Sequence, residues 1–141
     1  MSEKEFIFEK TAYVGSINLF GNVYFARYFD WQGEAREAFF NKTVADSLFL
    51  FKSGIKFVTI EASIKYYKEI TIFNEILIKV KAENFKITTF DLVFTFTNKK
   101  TKQLIATGKQ KIGFVDSANK VIPIPKEIIK GRNKSINKDE N

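Results

Sequence analysis

The sequence predicts an α+β domain in which one long helix packs against a curved antiparallel sheet of five strands. Residues 22–41 have the apolar spacing of a helix, and the segments on either side alternate between apolar and polar residues. The four segments after the helix are separated by short polar turns, which favours an antiparallel meander. The order of one strand, one helix and four strands is typical of α+β domains.

The first predicted elements are a strand, a loop and the helix. The strand runs from Glu5 to Tyr13, where Phe6 and Phe8 lie two residues apart. Residues 14–21 contain two glycines and are predicted to form a loop. Asn22 is the predicted N-cap of a helix that ends at about Asn41, because an Asn side chain accepts hydrogen bonds from the first helical amides.

Four further strands are predicted at residues 55–67, 73–83, 88–97 and 103–115. In the first of them, the residues expected on one face are Val58, Ile60, Ala62, Ile64 and Tyr66. Pro123 and Pro125 close the sheet region, and residues 126–130 are predicted to form a short helix. Residues 1–131 are therefore expected to be a single domain, and residues 132–141 a polar, flexible tail.

Composition restricts the chemistry that the chain can perform. Of 141 residues, 45% are hydrophobic and sixteen are Phe, enough for the core of one domain. The chain has no Cys and no His, which excludes disulfides, thiolate nucleophiles, serine–histidine triads and most zinc hydrolases. Any reaction must use the remaining polar side chains, backbone amides and water, and no metal or cofactor is expected.

The formal net charge of +7 allows several kinds of partner. It is consistent with binding to nucleic acid, to an acidic protein or to the phosphates of a ligand. It is equally consistent with lysines that are merely solvated on the strands. The lysines are spread over several strands without the aromatic motifs of RNA-binding sheets, which disfavours nucleic acid. The first residues carry carboxylates and no apolar run, so neither a secretion signal nor a membrane span is predicted, and a cytoplasmic location is expected.

The predicted helix carries two polar residues on the side where apolar residues are expected. At about 100° per residue, its solvent stripe is formed by Arg27, Asp30, Glu34, Glu37 and Asn41. The opposite face is expected to hold Phe25, Tyr28, Phe29, Ala35, Phe39 and Phe40. Gln32 and Arg36 lie one turn apart and well away from the solvent stripe. A buried guanidinium is costly unless it is paired or faces a polar cavity. Arg36 is therefore expected to pair with a carboxylate such as Glu61 or Glu69 across an interface, to extend its charged end into solvent at a helix edge, or to line a ligand cavity.

The loop and helix resemble the hot-dog-fold acyl thioesterases, the 4-hydroxybenzoyl-CoA thioesterase-like superfamily. The family's loop pattern Asp-x-x-Gly-His-x-Asn is similar to the stretch Asn18-Leu-Phe-Gly-Asn22, and its helix pattern Tyr-x-x-Trp-x-x-x-x-Arg is met at residues 28–36. Stretches 106–110 and 114–125 also resemble the family's last strand and tail. The resemblance covers nearly the whole chain, and it implies a hot-dog fold, in which a curved five-stranded antiparallel sheet wraps one long central helix.

The similarity is greater to one branch, the thioesterases that accompany iterative enediyne polyketide synthases. Its pattern Asn-Leu-x-Gly-Asn-Val-Tyr-Tyr resembles residues 18–25, and its pattern Trp-Gln-Gly-x-x-Arg-Glu-x-Phe resembles residues 31–39. Phe25 replaces a Tyr, and Glu34 replaces a residue that is often basic. The resemblance implies that Asn18 and Arg36 are the catalytic polar groups. An Asn cannot act as nucleophile or base, but it can hydrogen-bond a thioester oxygen or orient water.

Other residues are expected to bind the substrate. Amides near Val23 and Tyr24, at the predicted helix start, carry partial positive charge that can hold an oxyanion. Asn22, Tyr28 and Gln32 complete the predicted binding set. For a general base, Glu37 and Glu61 are both candidates, and their spacing singles out neither.

The function implied by the resemblance is hydrolysis of an acyl thioester, of the polyketide type and carried on an acyl carrier protein. An acidic carrier suits a basic enzyme. One alternative is a coenzyme A thioesterase of the 4-hydroxybenzoyl-CoA type, and another is an acyl-binding protein without catalysis. The resemblance also implies homotetramers, built as dimers of dimers, with each site where two subunits meet.

Overall fold

The computed structural model describes residues 5–44 and 52–130, and it confirms the predicted α+β architecture. The elements are β1 (Phe6–Thr11), a 3₁₀ turn (Val14–Ser16), α1 (Arg27–Thr43), β2 (Lys56–Tyr66), β3 (Glu75–Glu83), β4 (Thr89–Asn98) and β5 (Leu104–Val115). Residues 126–130 form the predicted short helix, whereas the predicted tail, residues 132–141, lies outside the described residues. Within the described ranges, no helix is both long and apolar enough to cross a membrane.

The five strands form one antiparallel sheet in the order β1-β3-β4-β5-β2. The predicted meander is correct for β3, β4 and β5, which are neighbours in the sheet. It is wrong for β2, which pairs with β5 at one edge instead of with β3. Residues 67–74 leave that edge and connect to β3, pairing on the way with the loop that precedes the helix. This connection is the part of the fold that builds the site.

The core lies between the helix and one face of the sheet. The strand residues buried there are Ile76, Ile78 and Val80 on β3 and Phe90, Leu92, Phe94 and Phe96 on β4. The helix buries Tyr28, Trp31, Ala35, Phe39 and Phe40 against them. The period-2 alternation predicted for these two strands is confirmed. Since each large apolar side chain contributes about 1.5–3 kcal/mol on burial, this contact fixes the position of the helix.

The helix begins later than predicted. It starts at Arg27 with Ala26 as the N-cap residue, and no side chain caps it, so the prediction that Asn22 is the cap is wrong. The physical reason is that Asn22 forms a β-bridge with Thr71, which holds it in an extended conformation. Phe25 was expected on the buried face, but it precedes the helix and is 58% exposed.

A β-bulge changes which residues of β2 face the helix. The register with β5 shifts between Thr59 and Glu61. Thr59 faces inward, because its hydroxyl accepts a hydrogen bond from Arg36, and Ala62 lies opposite the inward-facing Gln110. These two inward positions are three residues apart, which the extra residue of a bulge explains. Val58 precedes Thr59 and points to the outer face, contrary to the unbroken alternation that the sequence predicts.

Candidate active site

A cavity of about 360 Å³ lies beside the beginning of the helix. Four predicted site residues line it, namely Asn18, Asn22, Val23 and Tyr28. The rest of its wall is formed by Phe25, Tyr66, Tyr67, Lys68 and Glu69. The cavity therefore joins three segments that are distant in sequence: the loop before the helix, the first helical turn, and the end of β2 with the connection that follows it.

Asn18 is held in one orientation by its own loop. Its Oδ1 accepts hydrogen bonds from the backbone amides of Phe20 at 2.8 Å and Asn22 at 3.2 Å. Its backbone amide donates to the carbonyl of Asn22 at 2.7 Å, and Gly21 completes the turn with a φ of +87°. Since both acceptor bonds use Oδ1, the amide nitrogen Nδ2 is the group that Asn18 has left for a ligand. Asn18 therefore supplies a hydrogen-bond donor to the cavity wall.

The backbone amides of Val23 and Tyr24 are not free to hold an oxyanion in this chain. The amide of Val23 donates to the carbonyl of Ile70 at 2.8 Å, and the amide of Tyr24 donates to the carbonyl of Ser16 at 2.8 Å. The expectation of exposed amides rested on a helix that begins at Asn22, whereas Val23 forms a β-bridge with Ile17 and both residues precede the helix. Tyr24 also lies outside the set of residues that line the cavity.

Tyr28 places a protonated phenol at the cavity wall. The residue is 3% exposed, and its ring meets that of Tyr66 edge-on, with 4.7 Å between the ring centroids. Burial, helped by Tyr66 and by the charge of Glu69, raises the pKa of Tyr28 to about 12, although a backbone hydrogen bond from Ile70 opposes the shift. Because this pKa is far above neutral pH, the phenol stays protonated and can donate a hydrogen bond.

A chain of buried polar side chains leads from β2 to Arg36. Gln32 donates from Nε2 to the carbonyl of Ser63 at 3.1 Å, and its Oε1 accepts from Nε2 of Gln110 at 3.0 Å. The Oε1 of Gln110 then accepts from Nη1 of Arg36 at 2.9 Å. This polar chain, consisting of Gln32, Gln110 and Arg36, explains why Gln32 can be fully buried, since both ends of its amide are hydrogen-bonded.

Arg36 is held by neutral groups more than by a carboxylate. Besides its bond to Gln110, Nη1 donates to Oγ1 of Thr59 at 2.8 Å, and the guanidinium carbon lies 4.9 Å from the ring centroid of Phe57. Nη2 contacts Oε2 of Glu37 at 3.2 Å, but the Glu37 side chain is 66% exposed, so this ion pair is weak. Within this chain, Arg36 pairs with neither Glu61 nor Glu69, the carboxylates expected as possible partners across an interface.

Gly108 makes room for the polar chain. A methyl group at this position of β5 would come within 2.1 Å of Nε2 of Gln32 and 3.1 Å of the carbonyl oxygen of Ser63. A side chain there would displace the buried amide, so only glycine allows Gln32 to approach the sheet.

The structure brings some predicted site residues together and keeps others apart. Asn18, Asn22, Val23 and Tyr28 share the cavity, whereas Gln32 and Arg36 do not line it. Arg36 follows Tyr28 by eight residues, which is about 12 Å along a helix axis. A single chain therefore keeps the cavity at the helix start apart from the Arg36 cation near the helix middle.

Both regions contain further residues that the sequence does not predict as site residues, although Glu69 is named above as a possible partner of Arg36. Glu69 and Tyr66 line the cavity, and Gln110 orients Arg36. Gln110 carries a signal in the sequence, because it occupies an inward position of β5, in phase with Ile112 and Phe114, where an apolar residue is expected. No comparable signal exists for Glu69, which lies in a connection. Among the described residues, no group of three or more acidic side chains is arranged to hold a metal ion.

Comparison with known proteins identifies the family. Residues 14–131 match the family model of the thioesterase-like superfamily, which is most of the chain. The chain belongs to this superfamily. Its hot-dog fold and its assignment as a thioester hydrolase, both expected from the resemblance, are thereby confirmed. The search of curated proteins finds no match to the sequence.

Solved structures, several of them of thioesterases, share the fold over nearly the full length of this superfamily member. The dynemicin thioesterase, studied for polyene binding, superimposes with a TM-score of 0.87 and 21% identity, covering 94% of this chain and 97% of its own. The 1,4-dihydroxy-2-naphthoyl-CoA thioesterase from Synechocystis has a TM-score of 0.83 and 16% identity, with coverages of 92% and 96%. A Staphylococcus aureus protein solved in complex with CoA has a TM-score of 0.87 and 12% identity, with coverages of 96% and 86%.

Proposed function

We propose that this thioesterase hydrolyses an acyl thioester of the polyketide type, carried on an acyl carrier protein, by direct attack of water. The observation that carries the proposal is the cavity in which the Nδ2 donor of Asn18 lies on the same wall as the protonated phenol of Tyr28. Donors placed where negative charge develops on a thioester oxygen lower the barrier to attack. The departing thiolate is a weak base, so a strong general acid is unnecessary.

The substrate class is supported by the sequence motifs. Residues 18–25 and 31–39 resemble the enediyne branch, and the dynemicin thioesterase shares the fold over 94% of this chain. The net charge of +7 suits an acidic carrier protein, because opposite charges accelerate association and orient the partners.

We infer that the complete site forms between two subunits. β2 is an edge strand of eleven residues, and a two-fold axis through its middle would pair it with its own copy in antiparallel fashion. Tyr66, at one end of β2, lies at the cavity, while Thr59, towards the other end, contacts Arg36. Antiparallel pairing would therefore bring the cavity of one subunit close to the Arg36 of the other. Such dimers would pair again into the homotetramers that the resemblance implies.

This assembly predicts that a charge on the β2 edge separates the subunits. Ile60 is 53% exposed near the proposed axis, so Ile60→Lys would place two lysines close together in the dimer. Light scattering should give twice or four times the chain mass of 16.3 kDa for the wild type, and a shift towards monomer for Ile60→Lys, with loss of turnover. The matched control is Ile7→Lys on the opposite edge strand β1, where the residue is 48% exposed and assembly should be unaffected. A wild type that stays monomeric at all concentrations contradicts the composite site.

Coenzyme A thioesters are the second candidate substrate class. They are favoured by one specific observation, namely that the Synechocystis relative and a gentisyl-coenzyme A thioesterase with a TM-score of 0.80 share this fold. Both act on coenzyme A thioesters, although their 16% and 21% identities with this chain establish the fold alone.

A panel of thioesters tests the proposed function directly. The same polyenoyl, medium-chain and aromatic acyl groups would be offered on an acyl carrier protein and on coenzyme A, and thiol release would be followed. We expect kcat/KM to be highest for an unsaturated polyketide-type acyl group on the carrier protein. Higher values for the coenzyme A thioesters would favour the second class, and acyl binding without thiol release would contradict hydrolysis altogether.

A further inference from the structure

The connection after β2 contributes a carboxylate to the cavity that contains Asn18. Glu69 is the only acidic residue among the described residues that line this cavity. Asn18, which lines the same cavity, cannot serve as the base, because its amide does not accept a proton from water. Glu69 would supply in this cavity the proton acceptor that Asn18 cannot provide.

The backbone on both sides of Glu69 is fixed. The amide of Lys68 donates to the carbonyl of Ile105 at 3.1 Å, and Ile70 is completely buried. The carbonyl of Ile70 accepts the amide of Val23 at 2.8 Å, which joins the connection directly to the loop that carries Asn18. Glu69 is therefore held at the cavity by its neighbours, although its own side chain is exposed.

Within the described part of the chain, no hydrogen bond or ion pair engages the Glu69 carboxylate. Its charge contributes to the raised pKa of Tyr28, whose phenol lines the same cavity. By contrast, the two acids that the sequence suggested as bases are both engaged elsewhere. Glu37 pairs with Arg36, and Glu61 lies 3.8 Å from Nζ of Lys111 on the outer side of the sheet.

We propose that Glu69 is the general base that activates water for thioester hydrolysis in this cavity, a role that rests on the proposed function. Its carboxylate accepts one proton from water as the water oxygen attacks the thioester carbonyl carbon. The tetrahedral intermediate, its oxyanion held by hydrogen-bond donors, then expels the thiolate as the carbon–sulfur bond breaks. The proton on Glu69 passes to the thiolate, so the products are a carboxylic acid and a thiol, and Glu69 is regenerated.

The first test replaces the carboxylate with an amide of the same shape. Because a positioned base contributes about 100-fold or more, Glu69→Gln should lower kcat by about 100-fold. Thermal melting should be unchanged, since the side chain is exposed. Glu83→Gln is the matched control, because Glu83 is an exposed carboxylate at the end of β3, outside the cavity, and its loss should leave kcat unchanged.

A second measurement separates a base from a merely electrostatic or structural role. Glu69→Ala leaves space for a small acid, so added formate should restore part of its turnover, and it should not stimulate the wild type. Wild-type kcat for Glu69→Gln, or no rescue of Glu69→Ala by formate, would overturn the assignment of Glu69 while leaving the thioesterase function intact. A wild type that releases no thiol from any thioester in the panel would instead defeat the proposed function, and Glu69 with it.

Discussion

Asn18→Asp should lower kcat by about 100-fold while leaving the fold stable. The substitution keeps an oxygen at the Oδ1 position, where it can still accept the amides of Phe20 and Asn22. It removes the Nδ2 donor and adds a negative charge, which would repel the oxyanion that forms on the thioester oxygen. Loss of one positioned donor typically costs about 100- to 1,000-fold in kcat, and the measurement is turnover with a saturating thioester.

Asn98 offers a matched control for this change. It forms the same kind of turn at the end of β4, where its Oδ1 accepts the amides of Lys100 and Thr101 at 2.9 and 3.1 Å, away from the cavity. Asn98→Asp should leave kcat at the wild-type value. Asn18→Ala should lose turnover to a similar degree, but it should also destabilise the protein by about 1 kcal/mol, because two loop amides lose their acceptor. If Asn18→Asp were as active as the wild type, the amide would have no role as a donor.

The parts of the fold that could be predicted are those where burial alone decides the pattern. On β4, every second residue from Phe90 to Phe96 is buried against the helix, and an alternating sequence predicts such a strand directly. The helix start was missed for a tertiary reason, because Asn22 has good capping chemistry but pairs with Thr71 from a distant connection. The sequence does not predict the bulge in β2. One extra residue moves the side chains that precede it to the opposite face of the sheet, and no particular residue type marks its position.

The candidate site likewise contains some residues that the sequence reveals and others that it does not. Gln32 and Arg36 are visible in the sequence because they break the apolar face of a helix. Their partners are not visible, since the contact of Gln32 with Gly108 and the bond of Arg36 to Gln110 depend on how β5 lies against the helix. Glu69 lies in the connection between β2 and β3. The sequence wrongly predicts that these two strands are neighbours, so it does not predict that this connection passes beside the loop of Asn18.

Arg36→Met should reduce turnover by about 100- to 1,000-fold and lower the free energy of unfolding by only about 1 kcal/mol. The Met side chain keeps the apolar contact over Phe57, and the Glu37 carboxylate is already exposed to water, so no buried charge is left unpaired. The stability cost comes from Oε1 of Gln110, which loses its donor. Arg27→Met is the matched control, because Arg27 is bonded to Asp30 on the solvent face of the same helix. A loss of about 3–5 kcal/mol with normal turnover per folded molecule would give Arg36 a purely structural role.

Mixing two inactive variants decides where Arg36 acts. If Asn18 of one subunit works with Arg36 of the other, a hybrid dimer of Asn18→Asp and Arg36→Met chains has one site with both residues intact and one site with neither. Random mixing makes about half of the dimers hybrid, so activity should return to about one quarter of the wild-type value. Where both residues act within one chain, every site in the hybrid lacks one of them and the mixture stays inactive. Since Arg36 lies about 12 Å along the helix from Tyr28 at the cavity, we expect recovery. Turnover measured before and after the mixed chains are unfolded and refolded together provides the comparison.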